Sequence, residues 1–361
     1  MATSRSIDLR PHPDGYSYDE VKPLASAALH AGLSVLLRGH PGVGKSTLAR
    51  ELADGLSLPV HDIRLAQREP AELCGVHFPN RERNSLELLP PDWVRAVCDA
   101  PGFVFLDEIN AAVTRLHQAA AYQIVLERRV GPFRFHPDTV VLAAGNLDDD
   151  QALVSPLSSA LNNRFVHLRL RVDAAAWLRW GEVAGVHSSV LGYIGSRGSL
   201  GADALYDPNG DDAFPTPRSW EMASRLLAHS SEGDSRRLVA ACIGIPAAEK
   251  FQSYLKIHRR VDARSIVERG KAFDFARAEP SFAYAAVYAV ADYLLAHKNV
   301  ADKYLPNIAR FVASDGLDPE LRFLFLRRLQ AASVLLSRLK TLPDYRAVAA
   351  DLVDLQLEVA S

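Results

Sequence analysis

Cysteine is scarce in this chain: Cys74, Cys98 and Cys242 are scattered and share no metal-ligand spacing. That excludes a disulfide framework and a cysteine-rich metal site, and predicts three reduced, mostly buried thiols. Long apolar runs are absent too, which excludes a membrane-spanning helix. The polar start Met1-Ala2-Thr3-Ser4-Arg5-Ser6 has no apolar segment like that of a secretion signal, so a cytoplasmic location is expected. Net charge is small: 41 Lys and Arg stand against 43 Asp and Glu, a formal −2. No global attraction to nucleic acid follows, although a local basic patch is left open. There are no internal repeats and no low-complexity segment. The 48% hydrophobic and 23% charged content is that of a globular protein, and 361 residues suffice for two or three domains.

What is present is organised around Gly39-His40-Pro41-Gly42-Val43-Gly44-Lys45-Ser46-Thr47. It fits G-x-x-x-x-G-K-[ST], with Gly39, Gly44, Lys45 and Ser46 at the required offsets. Leu33–Leu37 before it reads as a buried strand; Leu48, Leu52 and Leu56 after it share a helix face. A loop between a strand's end and a helix's start turns backbone N–H groups and the helix dipole toward phosphate. Glycines let the backbone wrap the phosphates, Lys45 is placed to reach the β- and γ-phosphates, and the Ser46 hydroxyl to ligate Mg²⁺.

In chain order, residues 1–15 carry Pro11, Pro13 and Gly15 and predict a loose arm. Helical spacing runs from Tyr18 to Ala31, and Pro59–Leu65 alternates as a second strand. Residues 67–91 are irregular, with Val76-His77-Phe78 and Leu86-Glu87-Leu88-Leu89 able to pair as a hairpin. A helix resumes at Asp92. Gly102-Phe103-Val104-Phe105-Leu106-Asp107-Glu108 reads as a buried parallel strand ending in two acids. Such acids belong at the ligand-binding edge of the sheet. Asp107 is placed to hold Mg²⁺ through water, and Glu108 to orient and deprotonate the attacking water. A helix follows from about Thr114 to Arg128. Thr139–Asn146 makes a fourth strand with Asn146 at its tip, within reach of the γ-phosphate, ahead of a solvated acidic run at Asp148–Asp150. Val166–Leu170 is the fifth strand. Five strand–helix alternations predict a three-layer α/β fold ending near residue 172. Residues 195–213 read as a linker. Beyond Pro217 only helical periodicity is found, with a core helix around 282–290 and an amphipathic, basic-faced helix over 320–340.

On these residues the chain resembles the AAA+ ATPases, within them the MoxR-like branch and its dynein-related relatives. The Walker A loop is Gly39–Thr47, the Walker B strand Phe103–Glu108 followed by Ile109-Asn110, and the sensor-1 strand ends at Asn146. Ala160-Leu161-Asn162-Asn163-Arg164-Phe165 is similar to the family's L-x-x-R-F box, and Thr216-Pro217-Arg218-Ser219-Trp220 to the start of its sensor-2 helix. His40 departs from the small or polar residue of many relatives, at a position where the loop works through backbone. The resemblance covers about residues 16–230. It implies an α/β P-loop core with a five-stranded parallel sheet over 16–194, the linker 195–213, a helical lid over 214–300 and a helical C-terminal extension over 301–361. It also implies ATP and Mg²⁺ as cofactors, the latter at Ser46 and Asp107. Lys45, Glu108, Asn146 and Arg218 would act within one subunit, with Arg164 reaching a neighbour's nucleotide. The region 67–91 resembles the branch's helix-2 insert and 128–138 its pre-sensor-1 hairpin.

Three functions follow as expectations. The first is a ring-forming, typically hexameric ATPase that remodels a protein client with a von Willebrand A-type partner, as the resemblance implies. The second is a nucleic-acid motor or loader, for which Arg81, Arg83, Arg128, Arg129 and Arg134 would form a ring of positive charge. The third is a nucleotide-gated scaffold, against which Lys45, Asp107 and Glu108 all speak. Nucleic acid and membranes are not the expected partners.

Overall fold

The computed structural model describes residues 15–111, 114–147, 157–209, 212–297 and 302–347. Two compact units divide it, Met1–Asp173 and Ala174–Ser361. The arm over 1–15 and the acidic run Asp148–Asp150 lie outside the described residues, apart from Gly15.

The first unit runs α1 (Tyr18–His30), β1 (Ser34–Gly39), α2 (Lys45–Leu56), β2 (Val60–Arg64), α3 (Pro70–Cys74), β3 (Val76–Asn80), β4 (Ser85–Leu89), α4 (Asp92–Asp99), β5 (Phe103–Asp107), α5 (Arg115–Tyr122), β6 (Arg129–Val130), β7 (Phe133–Arg134), β8 (Val140–Gly145), α6 (Ser159–Asn162) and β9 (Phe165–Leu170). Ser17 and Glu20 start α1 with a reciprocal capping box, satisfying two N–H groups that the helix leaves open. The main sheet is parallel throughout, in the order β2-β5-β8-β1-β9.

Residue parity splits this sheet between two cores. Val35, Leu37, Phe103, Phe105, Leu142 and Ala144 face one side with Val21 and Leu29 of α1 and Leu48 and Leu52 of α2. Leu36, Val104, Leu106, Val141 and Ala143 face the other with Val94 and Val97 of α4 and Ala120 and Ala121 of α5. Burial on both faces is why these strands read as unbroken apolar runs. This is the expected five-stranded α/β core.

The two inserts are antiparallel hairpins. β3 and β4 pair from Val76↔Leu89 to Asn80↔Ser85, and β6 pairs with β7 through Arg129↔Arg134. The helix expected to reach Arg128 stops at Tyr122 and continues as a π-helical turn, Gln123–Glu127. Arg128 then takes a left-handed backbone, φ 49°, and turns its guanidinium inward. It donates to Gly32 O at 3.1 Å, Ser34 Oγ at 3.2 Å and Thr139 O at 3.4 Å. Arg129 pairs with Glu127 at 2.5 Å and Arg83 with Glu87 at 3.4 Å. Of the five arginines expected to supply a ring of positive charge, Arg128 is thus turned inward, whereas Arg81, Arg83 and Arg134 are exposed.

In the second unit every described element is helical: α7 (Ala174–Ala184), α8 (Ser188–Gly195), α9 (Gly201–Leu205), α10 (Pro217–His229), α11 (Glu232–Ile243), α12 (Ile245–His258), α13 (Ala263–Arg269), α14 (Pro280–Ala296), α15 (Leu305–Val312), α16 (Pro319–Arg328) and α17 (Ser333–Leu339), with short 3₁₀ turns between some of them. α7 and α8, assigned from sequence to the core, belong here. The stretch expected as a linker carries α9, anchored by fully buried Leu205 and by Trp220 Nε1 donating to Ala204 O at 2.9 Å. α14 is buried nearly all round, as its apolar run predicts.

The helix expected over 320–340 is broken by a 3₁₀ turn at Leu329–Ala332. Its basic face is partly inward. Arg322 is buried and donates from Nε to Val312 O at 2.9 Å, satisfying a carbonyl at the end of α15. Arg328 donates to Glu182 Oε2 at 2.9 Å and Asp292 Oδ1 at 2.8 Å. The three cysteines are half-buried rather than buried, with burial raising each thiol pKa.

Candidate nucleotide site

β5, β8 and β1 are neighbours in the sheet, so their C-terminal ends come together. Open parallel sheets bind ligands at this edge. β1 delivers the Gly39–Thr47 loop, β5 delivers Asp107 and Glu108, and β8 delivers Asn146 just past Gly145. The loop's shape is set by glycine: Gly42 and Gly44 have φ of 76° and 104°, where a side chain is strained. Gly39 is required by space, since a Cβ there would lie 2.7 Å from Leu170 O.

Lys45, the first residue of α2, folds back over the loop. Its Nζ donates to Gly39 O at 2.6 Å, His40 O at 3.0 Å and Asn146 Oδ1 at 2.9 Å. Lys45 is buried, at 8% exposure, so its charge is held in place by these acceptors. Ser46 Oγ donates to Asp107 Oδ2 at 3.1 Å, and Asp107 is likewise buried. Glu108 follows with a left-handed φ of 54°, its N–H donating to Asp107 Oδ1 at 2.9 Å. Such a conformation costs a non-glycine residue on the order of 1–3 kcal/mol and tends to occur at functional sites.

These groups suit ATP and Mg²⁺. The hydroxyl–carboxylate pair Ser46–Asp107 supplies hard oxygen donors, the set Mg²⁺ uses beside phosphate oxygens and water. Among the described residues no cluster of three or more His, Cys, Asp or Glu offers a self-sufficient metal cage. An ion held by one hydroxyl, one carboxylate and the nucleotide's own phosphates fits that pattern. When bound, Mg²⁺ neutralises charge on the β- and γ-phosphates.

The structure thus brings Lys45, Ser46, Asp107, Glu108 and Asn146 to one edge. Arg164 is elsewhere. It is exposed just before β9, whose first residue Phe165 pairs with Ser34 at the start of β1, while the loop leaves β1 at Gly39. Buried Leu161 and Phe165 on either side hold this turn to the core. Arg218 stands in the other unit, as the exposed member of the first turn of α10 between buried Pro217 and Ser219.

Two further residues, beyond those to which the motifs give a role, complete the site. Tyr18 lies beside the loop, its ring 3.5 Å from where a Gly44 Cβ would stand; burial first, then the Glu51 carboxylate, raises its phenol pKa. Asn110, noted only as part of an Ile-Asn pair, is buried and bonded to the Asn146 backbone. The Ile109-Asn110 pair marks the position of Asn110 but not its partner, and nothing local marks Tyr18, because both contacts are between elements.

Among families of known domains, residues 34–165 match the AAA domain of the dynein-related subfamily. No curated protein is matched. Similar solved structures include one from Cytophaga hutchinsonii (18% identity, 92% of this chain and 80% of that chain, TM-score 0.36). Others are the RuvB Holliday junction branch migration motor of Thermotoga maritima (18%, 81% and 86%, TM-score 0.39) and NtrX of Brucella abortus (15%, 87% and 67%, TM-score 0.39). At these scores the three structures carry no argument about function. The domain match spans the loop, the two acids and Asn146, and with the strand order it makes this part of the chain an AAA+ ATPase domain.

Proposed function

We propose that the chain is a Mg²⁺-dependent, ring-forming AAA+ ATPase of the MoxR-like branch that uses ATP hydrolysis to remodel a protein client, with a von Willebrand A-type protein as partner. The observation that supports a protein client is the β3–β4 hairpin. Val76, Phe78 and Leu86 are 56%, 61% and 69% exposed on it, and Arg83 is paired with Glu87. Exposed apolar side chains on one hairpin suit an unfolded or partly folded polypeptide better than a phosphate backbone. In this reading Lys45 and Asn146 hold the γ-phosphate, Ser46 and Asp107 hold Mg²⁺, and Glu108 activates water. Arg218 contributes from the lid and Arg164 from the next protomer. The compartment is the cytoplasm and the ring a hexamer.

A second reading, a nucleic-acid motor, draws on exposed Arg81 and Arg134 at the two hairpins. RuvB is such a motor; here the reading stands on the arginines alone.

The test is ATPase rate against protein concentration, wild type beside Glu108→Gln, with sizing chromatography in ATP. A specific rate that climbs with assembly and vanishes in the variant is expected. A rate independent of concentration refutes the shared-site ring. Turnover stimulated by duplex or single-stranded DNA, falling steeply with salt, selects the second reading; stimulation by an unfolded polypeptide selects the first.

A further inference from the structure

Asn110 is a polar side chain at 3% exposure, three residues past the Walker B aspartate. Its whole amide is committed to the backbone of one residue. Nδ2 donates to Asn146 O at 2.9 Å, and Oδ1 accepts from Asn146 N at 3.1 Å. The neighbouring residues join in: Ile109 N donates to Ala144 O at 2.9 Å, and Ile109 is fully packed. Ala111 N closes the turn on Glu108 O at 2.9 Å. Gly145 makes room for this clamp, because a Cβ there would lie 2.7 Å from Asn110 Oδ1. The turn carrying Glu108 is therefore laced to the end of β8 by three hydrogen bonds. On the far side of the same residue, Asn146 Oδ1 accepts from Lys45 Nζ.

We propose that Asn110 is a positioning residue for ATP hydrolysis. It locks the Glu108 turn to the Asn146 backbone, so that the water-activating carboxylate and the phosphate-contacting amide hold one fixed geometry. The inference rests on the ATPase reading above. Asparagine is the residue the job requires, since one short planar amide supplies both the donor and the acceptor that a backbone peptide needs. The left-handed Glu108 is held by the same lacing: its turn is pinned at Ile109 and Asn110, which fixes the backbone from which the carboxylate projects. A misplacement of about 1 Å at a reacting group can cost on the order of 100-fold in rate.

The experiment uses the full chain with Asn110→Ala, Asn110→Asp and Gly145→Ala, measuring kcat, KM for ATP, and amide hydrogen exchange at Asn146. Asn110→Ala is expected to lower kcat by about 10- to 100-fold while KM stays within about threefold, the signature of a lost transition-state arrangement rather than lost binding. Gly145→Ala, which pushes the amide aside from the other direction, is expected to give the same split. Asn110→Asp keeps the acceptor for Asn146 N–H and loses the donor to Asn146 O. Its deficit relative to wild type is expected to shrink as pH falls, because a protonated carboxyl regains a donor.

In Asn110→Ala the Asn146 amide is expected to exchange faster, a readout that needs no turnover. Unchanged exchange overturns the clamp whether or not the chain hydrolyses ATP. Faster exchange with kcat within twofold of wild type overturns the positioning role, as does a KM that rises in step with the loss of kcat. Should Asn110→Ala fail to fold, Gly145→Ala and Asn110→Asp carry the same decisions.

Discussion

Replacing Arg164 tests whether the catalytic site is shared between protomers. In the parallel pairing of β1 with β9, Phe165 is level with Ser34 and Leu170 with Gly39. The loop thus leaves β1 five residues beyond the level at which β9 begins. At about 3.3 Å per residue that separation is about 17 Å along the strand, so the backbone of Arg164 lies far from its own protomer's phosphate loop. An exposed arginine so placed is free to serve the neighbouring protomer proposed above. If it stabilises transition-state charge across the interface, Arg164→Ala costs about 10³–10⁵ in kcat, or about 4–7 kcal/mol, with ATP affinity retained.

The decisive assay mixes two inactive proteins. Arg164→Ala retains its loop and lacks the finger; Lys45→Ala lacks a working loop and retains the finger. In a randomly assorted 1:1 ring about half the protomers have an intact loop, and about half of those face an intact finger. About a quarter of the sites are then complete, whatever the ring size. The mixture should recover about 25% of the wild-type rate per protomer. A mixture whose rate equals the sum of its parents, with mixed rings present by native mass spectrometry, would falsify the trans assignment. Substantial activity in Arg164→Ala alone would do the same.

Other consequences follow from single contacts. Arg128→Ala removes the donor to Gly32 O and Thr139 O, while Ser34 Oγ keeps its bond to Val125 O, and should lower the stability of the first unit by about 2–3 kcal/mol in urea unfolding; a loss under about 0.5 kcal/mol contradicts the inward placement. EDTA should abolish turnover, and Ser46→Ala should move the Mg²⁺ dependence to higher concentration; an unchanged Mg²⁺ profile removes that hydroxyl from the metal site. In the helical unit burial lowers the pKa of His187 and His258, against the raising effect of Asp292 on both. The unfolded chain then binds protons below about pH 6.5 that the folded unit refuses, so stability falls as pH drops through that value. Thermal unfolding between pH 7 and 5 should show the decline, and replacing both histidines with Gln should flatten it.

The strands were legible because a sheet buried on both faces leaves continuous apolar runs, and because the loop and the two acids sit where those runs end. Periodicity found the helices of the second unit but not their interruptions. Gly, Ser and Asp around residues 195–213 look like a linker until Leu205 and the Trp220 indole are seen holding α9 in the core. The gathering of Lys45, Ser46, Asp107, Glu108 and Asn146 at one sheet edge was legible because each lies in the loop or at the end of a strand's apolar run. The site was illegible wherever a residue acts on another element: Asn110 lies 36 positions from the backbone it clamps.

Charge was the poorest guide. An arginine counted from sequence has a sign but no direction, and in this fold open carbonyls and nearby carboxylates take up several of them. Arg128 reaches Gly32 and Thr139, Arg129 and Arg83 meet glutamates, and Arg322 closes a helix end. Of the five arginines that suggested a nucleic-acid track, Arg81, Arg83 and Arg134 are exposed on hairpins, Arg83 beside Glu87, and one of these hairpins carries Phe78, Val76 and Leu86 in the open. The exposed apolar side chains of that hairpin, not its charge, are what the proposed polypeptide client rests on.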